Sequence, residues 1–254
     1  MESKYYIDYY KAEREHWFFR ARNAVIMAHI KDIVGDRTDL KILNVGIATG
    51  HTSELLAQFG SVKSVEYDTE CYNFVKEKLP QLDLIQGSIL ELPFTDNSYD
   101  LVCAFDVVEH IEDDQTGVNE MKRVTNSNGH AVITVPAFMS LWSHHDVINH
   151  HFKRYKQDEV KTLIADDQNL KYLTYFNFFL FPPVWLFRKL NNLLGFSKNK
   201  TEQNETAGSD LDYFSGGGFI SNLFYSVLAS EKPLIRKRFS LPFGVSVLAS
   251  WQKP

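Results

Sequence analysis

The residues with the clearest chemical potential are Gly46, Gly50 and Glu66. The two glycines bracket Ile47-Ala48-Thr49, directly after the apolar run Ile42-Leu43-Asn44-Val45. Glycine at such a point lets the backbone bend sharply and lets a ligand approach the main chain closely. His51-Thr52-Ser53-Glu54-Leu55-Leu56-Ala57 then reads as a helix, whose first turn offers unpaired N–H donors. Glu66 lies 16 residues beyond Gly50, at the end of the strand-like Val62-Lys63-Ser64-Val65-Glu66. A carboxylate there accepts from both hydroxyls of a ribose. A G-x-x-x-G loop alone is a weak signal. With the acid at this distance it reads as a nucleotide-type binding corner, against the plainer reading of a buried turn beside a surface acid.

The elements that must position this corner follow in regular order. Trp17 to Val34 reads as a helix, with Phe19, Ile26, Ile30 and Ile33 at helical spacing and Gly35-Asp36 ending it. The core strand 41–45 comes next. Asp68-Thr69 starts a helix with Cys71, Phe74, Val75 and Leu79 on one face, stopped by Pro80. Leu82 to Gln86 is a third strand, and Tyr99 to Phe105 is a fourth whose continuous apolar character suits burial on both faces. Val118, Met121 and Val124 mark a helix, Asn126-Ser127-Asn128-Gly129 a turn, and His130 to Val135 a fifth strand. Gln157 to Asp167 is a helix, with strands at Leu170 to Phe176 and Phe243 to Trp251. Such alternation implies a parallel α/β sheet with right-handed crossovers and a ligand at the carboxyl ends of its strands.

Length and composition set bounds. The chain has 254 residues, enough for one large α/β domain. A net charge of −5 argues against broad nucleic-acid binding. The two cysteines, Cys71 and Cys103, read as core residues and not as a disulfide or metal pair. No signal pattern opens the chain, and no run reaches the roughly 18 apolar residues of a membrane span. The expectation is a cytoplasmic protein with one domain over 1–254. Its subdivisions are a helical arm or lid at 1–35, a His- and aromatic-rich acceptor loop at 137–156, and an insertion at 177–240 with a mobile part, 197–212.

Taken together, the motifs resemble the class I S-adenosylmethionine (SAM) dependent methyltransferases. Ile42 to Gly50 looks like the family's first motif and Glu66 like its ribose acid. Leu92-Pro93-Phe94-Thr95-Asp96-Asn97-Ser98-Tyr99-Asp100-Leu101-Val102 resembles the run into its fourth strand, and Asp106-Val107-Val108-Glu109-His110-Ile111 the loop after it. Glu120 to Val124 and Asn128-Gly129 resemble the helix and turn before strand five. Glu15-His16-Trp17-Phe18-Phe19-Arg20-Ala21-Arg22, Leu141 to Asp146 and His151 to Tyr155 look like bacterial relatives of surface-glycan or lipid-linked pathways. The ubiquinone-pathway O-methyltransferases are more distantly similar. The resemblance implies a Rossmann-like, seven-stranded, mostly parallel sheet with helices on both faces. Its last two strands would form a hairpin that carries the insertion. It also implies SAM as cofactor, held by Asn44, Gly46, Ala48, Gly50, Glu66, Tyr67, Ser88, Ile89 and Asp106. The family's strand-one acid is Asn44 here, its middle glycine is Ala48, and Ser88 stands where relatives carry an acid near the adenine.

Methyl transfer to oxygen needs a base, a metal, or both. Glu109-His110 reads either as a loop support or as part of a site. Asp106-x-x-Glu109-His110 resembles the "E-x-x-E-H" of metal-dependent small-RNA 2′-O-methyltransferases, whose sites also take a later histidine. On that resemblance Asp106, Glu109, His110, His150 and His151 are candidate ligands for Mg, Mn or Zn, with His144 and His145 as further options. Without a metal, His110 or His145 serves as general base, with Glu109 beside them. Lys153, Arg154, Arg20 and Arg22 read as phosphate contacts or as a solvated face. The aromatic run 176–189 reads as core packing, an acceptor-pocket lining, a dimer surface or a peripheral membrane contact.

The resulting expectation is O-methylation of a glycan, lipid-linked or small phenolic or diol acceptor, with no nucleic-acid partner and scope for a homodimer. The rival readings are a SAM-binding regulator without transfer activity and a nicotinamide-dependent oxidoreductase. Against the latter stands the absence of G-x-G-x-x-G spacing.

Overall fold

The structure, a computed structural model, describes residues 3–164, 169–193 and 218–254. The segment 197–212 lies outside the described residues, as does the end of the helix expected to reach Asp167.

Two N-terminal helices, α1 (Ser3–Glu15) and α2 (Trp17–Val34), precede the alternating body. That body runs β1 (Leu40–Val45), α3 (His51–Leu56), β2 (Gly60–Glu66), α4 (Thr69–Lys78), β3 (Asp83–Gln86), β4 (Tyr99–Phe105), α5 (Asp114–Val124) and β5 (Thr125–Pro136). After the connection come α6 (His144–Ile148), α7 (Gln157–Ile164), β6 (Leu170–Phe176), α8 (Phe181–Leu193), α9 (Gly218–Ala229), α10 (Lys232–Arg236) and β7 (Ser246–Gln252). The seven strands form one sheet of order β3-β2-β1-β4-β5-β7-β6. Pairing is parallel from β3 to β5, and β7 lies antiparallel between β5 and β6.

The period-two alternation of the strands builds two cores. Leu43, Val45, Val102, Ala104, Ala131 and Ile133 face α5 and α7, packing on Val118, Met121, Val160 and Ile164. Ile42, Leu101, Cys103, Val132 and Leu248 face the other way, onto Val25, Ile26 and Ile30 of α2 and Ile235 of α10. Buried on both faces, β4 needs its unbroken apolar run. Cys71 and Cys103 are buried free thiols.

Two details depart from the sequence expectation. The turn at 126–129 sits inside β5: Tyr99 pairs with Thr125 and Leu101 with His130, so the extra residues bulge out, with Asn128 at φ 63°. The 137–156 connection is also more ordered than a plain loop. It contains a 3-10 turn, Met139–Leu141, and α6, where the Asp146 carboxylate accepts from Ser143 N at 2.8 Å.

Strand order reverses between β1 and β4, so their carboxyl ends open a crevice into which both following loops point. Gly46 follows β1 and Asp106 follows β4 at that switch point.

Candidate active site

The glycine loop is shaped by three left-handed residues, Gly46 at φ 66°, Ala48 at φ 48° and Gly50 at φ 87°. Gly46 N donates to Val65 O at 2.8 Å, which ties the loop to β2. A Cβ on Gly46 would stand 2.4 Å from Val107 Cγ2, and one on Gly50 2.9 Å from Leu79 Cδ1. At both positions the space a side chain would need is taken by Val107 or by Leu79 and Leu82, so glycine lets the turn pack tightly as well as adopt its positive φ.

Glu66 is 8% exposed and fastened by main-chain donors. Its Oε1 accepts from Tyr67 N at 2.9 Å and Asp68 N at 3.0 Å, and its Oε2 from Ala48 N at 3.2 Å. Burial raises its pKa, and the three amides oppose that shift. One lone-pair position on Oε2 is left for a hydroxyl. Tyr67 beside it is 75% exposed. Ser88 Oγ accepts from Leu90 N, and Ile89 is buried in the core.

Asn44 directs its amide N–H groups to α3. Its Nδ2 donates to Thr52 Oγ1 and Ser53 Oγ, both at 2.9 Å, so it anchors the first turn of α3. Its Oδ1 is buried without a hydrogen-bond partner, so the side chain both supports the helix N-terminus and keeps an acceptor.

Helix α1 covers the corner. Tyr6 Oη donates to Asp68 at 2.8 Å and stacks on Phe74, while Arg14 reaches Glu54 at 2.6 Å and Thr49 O at 3.4 Å. From the same helix Glu13 accepts a hydrogen bond from Thr49 Oγ1 in the glycine loop. The 1–35 arm is thus two helices, with α1 as the cover.

The second loop begins at Asp106, itself left-handed at φ 55°. Arg22, buried on α2, donates to Asp106 Oδ2 at 2.6 Å and to Thr134 Oγ1 at 3.0 Å, and Thr134 donates to Asp106 Oδ1. Asp106 therefore joins the corner through Arg22 and stands outside the cluster able to hold a metal. That cluster is Glu109, His110 and His151, whose ligand atoms lie within 4.8 Å of one another. The 3-10 turn Val108–His110 supplies the first two. The acceptor loop docks against it through Phe152 N to Glu109 O at 2.8 Å and Tyr155 Oη to Val108 O at 3.3 Å. His110 and His151 meet at right angles, with ring centroids 4.5 Å apart.

The electrostatics of the cluster are unusual. Glu109 is 1% exposed, and neither carboxylate oxygen has a hydrogen-bond partner. Its pKa is well above the carboxylate range, through burial first and the Asp106 charge second. His110 keeps a solvent-facing surface, yet the surrounding protein and then His151 hold its pKa down to about 4. It is a neutral donor near pH 7 and too weak a base to be matched to proton abstraction there. His151 Nδ1 lies 2.9 Å from Asp146 Oδ1, and Arg154 grips the same carboxylate at 2.7 and 3.0 Å. Burial works to raise the Asp146 pKa, but His151 and Arg154 hold it below the usual range.

Other candidates fall elsewhere. His150, at φ 55°, and His144 are exposed and outside the cluster, as is His145, which contacts Asn149 and has its ring 6.3 Å from that of His151. Lys153 pairs with Asp114 at 2.5 Å and Arg154 with Asp146, so both cations already serve carboxylates of the chain. Arg20 lies over the Tyr225 ring. The aromatic run divides: Phe178 and Phe181 pack on Phe243, while Trp185, Leu186 and Leu190 are exposed. Glu13, Thr134 and Asp146 were not among the sequence candidates. The pattern S-x-x-D at Ser143–Asp146 was the one available signal, for a cap.

Residues 43–133 match the family model described as a methyltransferase domain. A probable S-adenosylmethionine-dependent methyltransferase of Mycobacterium tuberculosis is 28% identical over 155 residues, covering 60% of this chain and 55% of that protein. A demethylmenaquinone methyltransferase of Chlorobaculum tepidum is 32% identical over 108 residues, 42% of this chain and 44% of its own length. The chain thus spans about half the length of these curated relatives. Among solved structures, the YcgJ protein of Bacillus subtilis aligns over 91% of this chain and 98% of its own, with TM-score 0.56 and 14% identity. The [4+2]-cyclase SpnF aligns over 89% and 81%, with TM-score 0.54 and 12% identity. These structural likenesses concern the fold, which carries more than one chemistry. Residues 43–133 thus carry the methyltransferase-domain match, and the strand order and glycine loop around them have the fold of the class I SAM-dependent methyltransferases.

Proposed function

We propose that the protein transfers a methyl group from SAM to an oxygen of a glycan, lipid-linked or small diol or phenolic acceptor. The observation that carries the cofactor half is Glu66, buried at the end of β2 and aimed by three backbone N–H groups, one of them from the glycine loop. Bound SAM supplies an electrophilic methyl on a sulfonium, so the protein's work is to align it and prepare the acceptor. Glu66 receives a ribose hydroxyl, Gly46 and Gly50 give the loop its left-handed turn, and α1 covers the corner against water. The acceptor's entry lies on the side of Glu109, His110 and His151.

A second reading concerns that cluster. A buried carboxylate without partners, beside two imidazoles, is a costly arrangement unless a cation completes it. We infer that Glu109, His110 and His151 hold a divalent ion, which would lower the pKa of an acceptor hydroxyl and favour vicinal oxygens. Asp146 would orient His151 from behind. Exposed Leu186, Leu190, Phe219, Ile220 and Leu223 on α8 and α9 agree with an acceptor that carries an apolar chain. Among the described residues, no helix is long and apolar enough to cross a membrane.

The test is calorimetric titration with S-adenosylhomocysteine, then mass-spectrometric screening of diol, catechol and glycan acceptors with SAM, with and without chelator. Micromolar binding and a mass gain of one methylene support transfer. Binding without turnover across the panel favours the regulator reading. Undiminished turnover in chelator removes the metal.

A further inference from the structure

The amino-acid end of SAM carries an ammonium, and strand β1 has no anion to offer it. Asn44 is uncharged and 1% exposed; it gives both amide hydrogens to α3, and its Oδ1, buried without a partner, offers an acceptor but no charge. Helix α1 brings a carboxylate from elsewhere. Glu13 is 6% exposed and accepts from Thr49 Oγ1 within the glycine loop. Its closest ion-pair contact is Arg14 Nη1, 4.0 Å from Oε2, whereas Arg14 makes its own short contact at 2.6 Å with Glu54. Arg22 on α2 is committed to Asp106 at 2.6 Å. A carboxylate buried with its cations already engaged is unfavourable in isolation and marks a place where a cation is received.

The groups facing Glu13 are Tyr5, Tyr9 and Arg14 on its own helix, Thr49 in the loop, Arg22 on α2 and Cys71 on α4. Burial lifts its carboxyl to about 7, and Thr49 and the two arginines offset that only in part. The group therefore sits at the edge of ionisation near neutral pH, where a bound cation decides its state.

We propose that Glu13 binds the ammonium of the cofactor's amino-acid end, so that α1 supplies the anion that strand β1 lacks. This rests on the SAM reading above. It makes closure of the N-terminal helix and completion of the cofactor site a single event, because Glu13 reaches Thr49 only while α1 lies on α3 and α4.

The test compares ligands as well as variants in the full-length chain. Glu13→Gln keeps the shape and removes the charge. Calorimetry should show S-adenosylhomocysteine binding at least tenfold weaker in the variant, with 5′-methylthioadenosine, which lacks the amino-acid part, bound within twofold of the unmodified protein. S-adenosylhomocysteine lacking its amino group should bind the unmodified protein about tenfold more weakly, and Glu13→Gln should not weaken it further. Retained methylthioadenosine binding also shows that the variant's corner is folded. Unchanged S-adenosylhomocysteine affinity in Glu13→Gln overturns the assignment. So does equal loss of both ligands, which would leave Glu13 as a strut for α1. If the unmodified protein binds neither ligand, the cofactor reading fails and takes this one with it.

Discussion

His151 turns its Nδ1 to Asp146 Oδ1 at 2.9 Å, and Asp146 is itself clamped by the Arg154 guanidinium. A carboxylate acceptor at Nδ1 puts the ring proton there and leaves the lone pair on Nε2. Asp146→Asn should therefore weaken divalent-ion uptake by about 10–100-fold without removing a ligand. Glu109→Gln should lose it outright. Titration of the chelator-stripped protein with Zn or Mn, followed calorimetrically, reads both. Because the Glu109 pKa is raised and ion binding needs the carboxylate, uptake should release a proton and so give different heats in buffers of different ionisation enthalpy. Equal uptake by Glu109→Gln and the unmodified protein would end the metal reading.

Gly46 tests the packing of the glycine loop. Alanine there would place its Cβ 2.4 Å from Val107 Cγ2 and would also carry a positive φ of 66°. The backbone penalty alone is about 1–2 kcal/mol. Gly46→Ala should lower both melting temperature and S-adenosylhomocysteine affinity. Pairing it with Val107→Ala should recover part of the stability by clearing the clash, while the backbone term remains. If the single variant melts like the parent, the loop is not as rigid as its contacts imply.

The ribose assignment for Glu66 is open to a direct measurement. Glu66→Ala should weaken S-adenosylhomocysteine at least tenfold, about 1.4 kcal/mol. It also strips acceptors from Ala48 N, Tyr67 N and Asp68 N, so Glu66→Gln separates loop support from ribose binding. Unchanged affinity in both variants removes the assignment.

The sheet was legible because its signals are local: unbroken apolar runs, a glycine turn, and an acid at a fixed distance. Glu66, Gly46 and Gly50 belong to that class. Glu109 and His110 were legible as a pair, but which later histidine joins them depends on how 137–156 folds back. There Phe152 N to Glu109 O selects His151 over His150, one residue and one left-handed turn away. The double role of Asn44 was not legible: its Nδ2 serves Thr52 and Ser53 while its Oδ1 stays without a partner, and only the packing of α3 on β1 decides that. Glu13 left no trace at all. Its meaning arises only when α1 crosses onto a loop 36 residues later, and no periodicity or motif encodes such a crossing.

The pH dependence of stability follows from buried groups of opposite sign. Glu13 and Glu231 are both lifted from 4.5 to about 7 by burial, so the native chain keeps protons that the unfolded chain releases. Their contribution falls as pH rises from 4.5 through 7. His29 and His110 are held down to about 4, also by burial first, so the unfolded chain binds protons that the native one refuses. Their contribution rises with pH from about 4 to 6.5, and the two effects oppose each other in the unmodified protein. A difference measurement isolates one group. Relative to the parent, Glu13→Gln should gain about 1–3 kcal/mol between pH 5 and pH 8, read by urea denaturation at each pH. S-adenosylhomocysteine should bind the parent more tightly at pH 8 than at pH 6, since its ammonium meets an ionised Glu13, and the variant should lose that slope. A stability difference that ignores pH would mean that Glu13 titrates alike in the folded and unfolded chain.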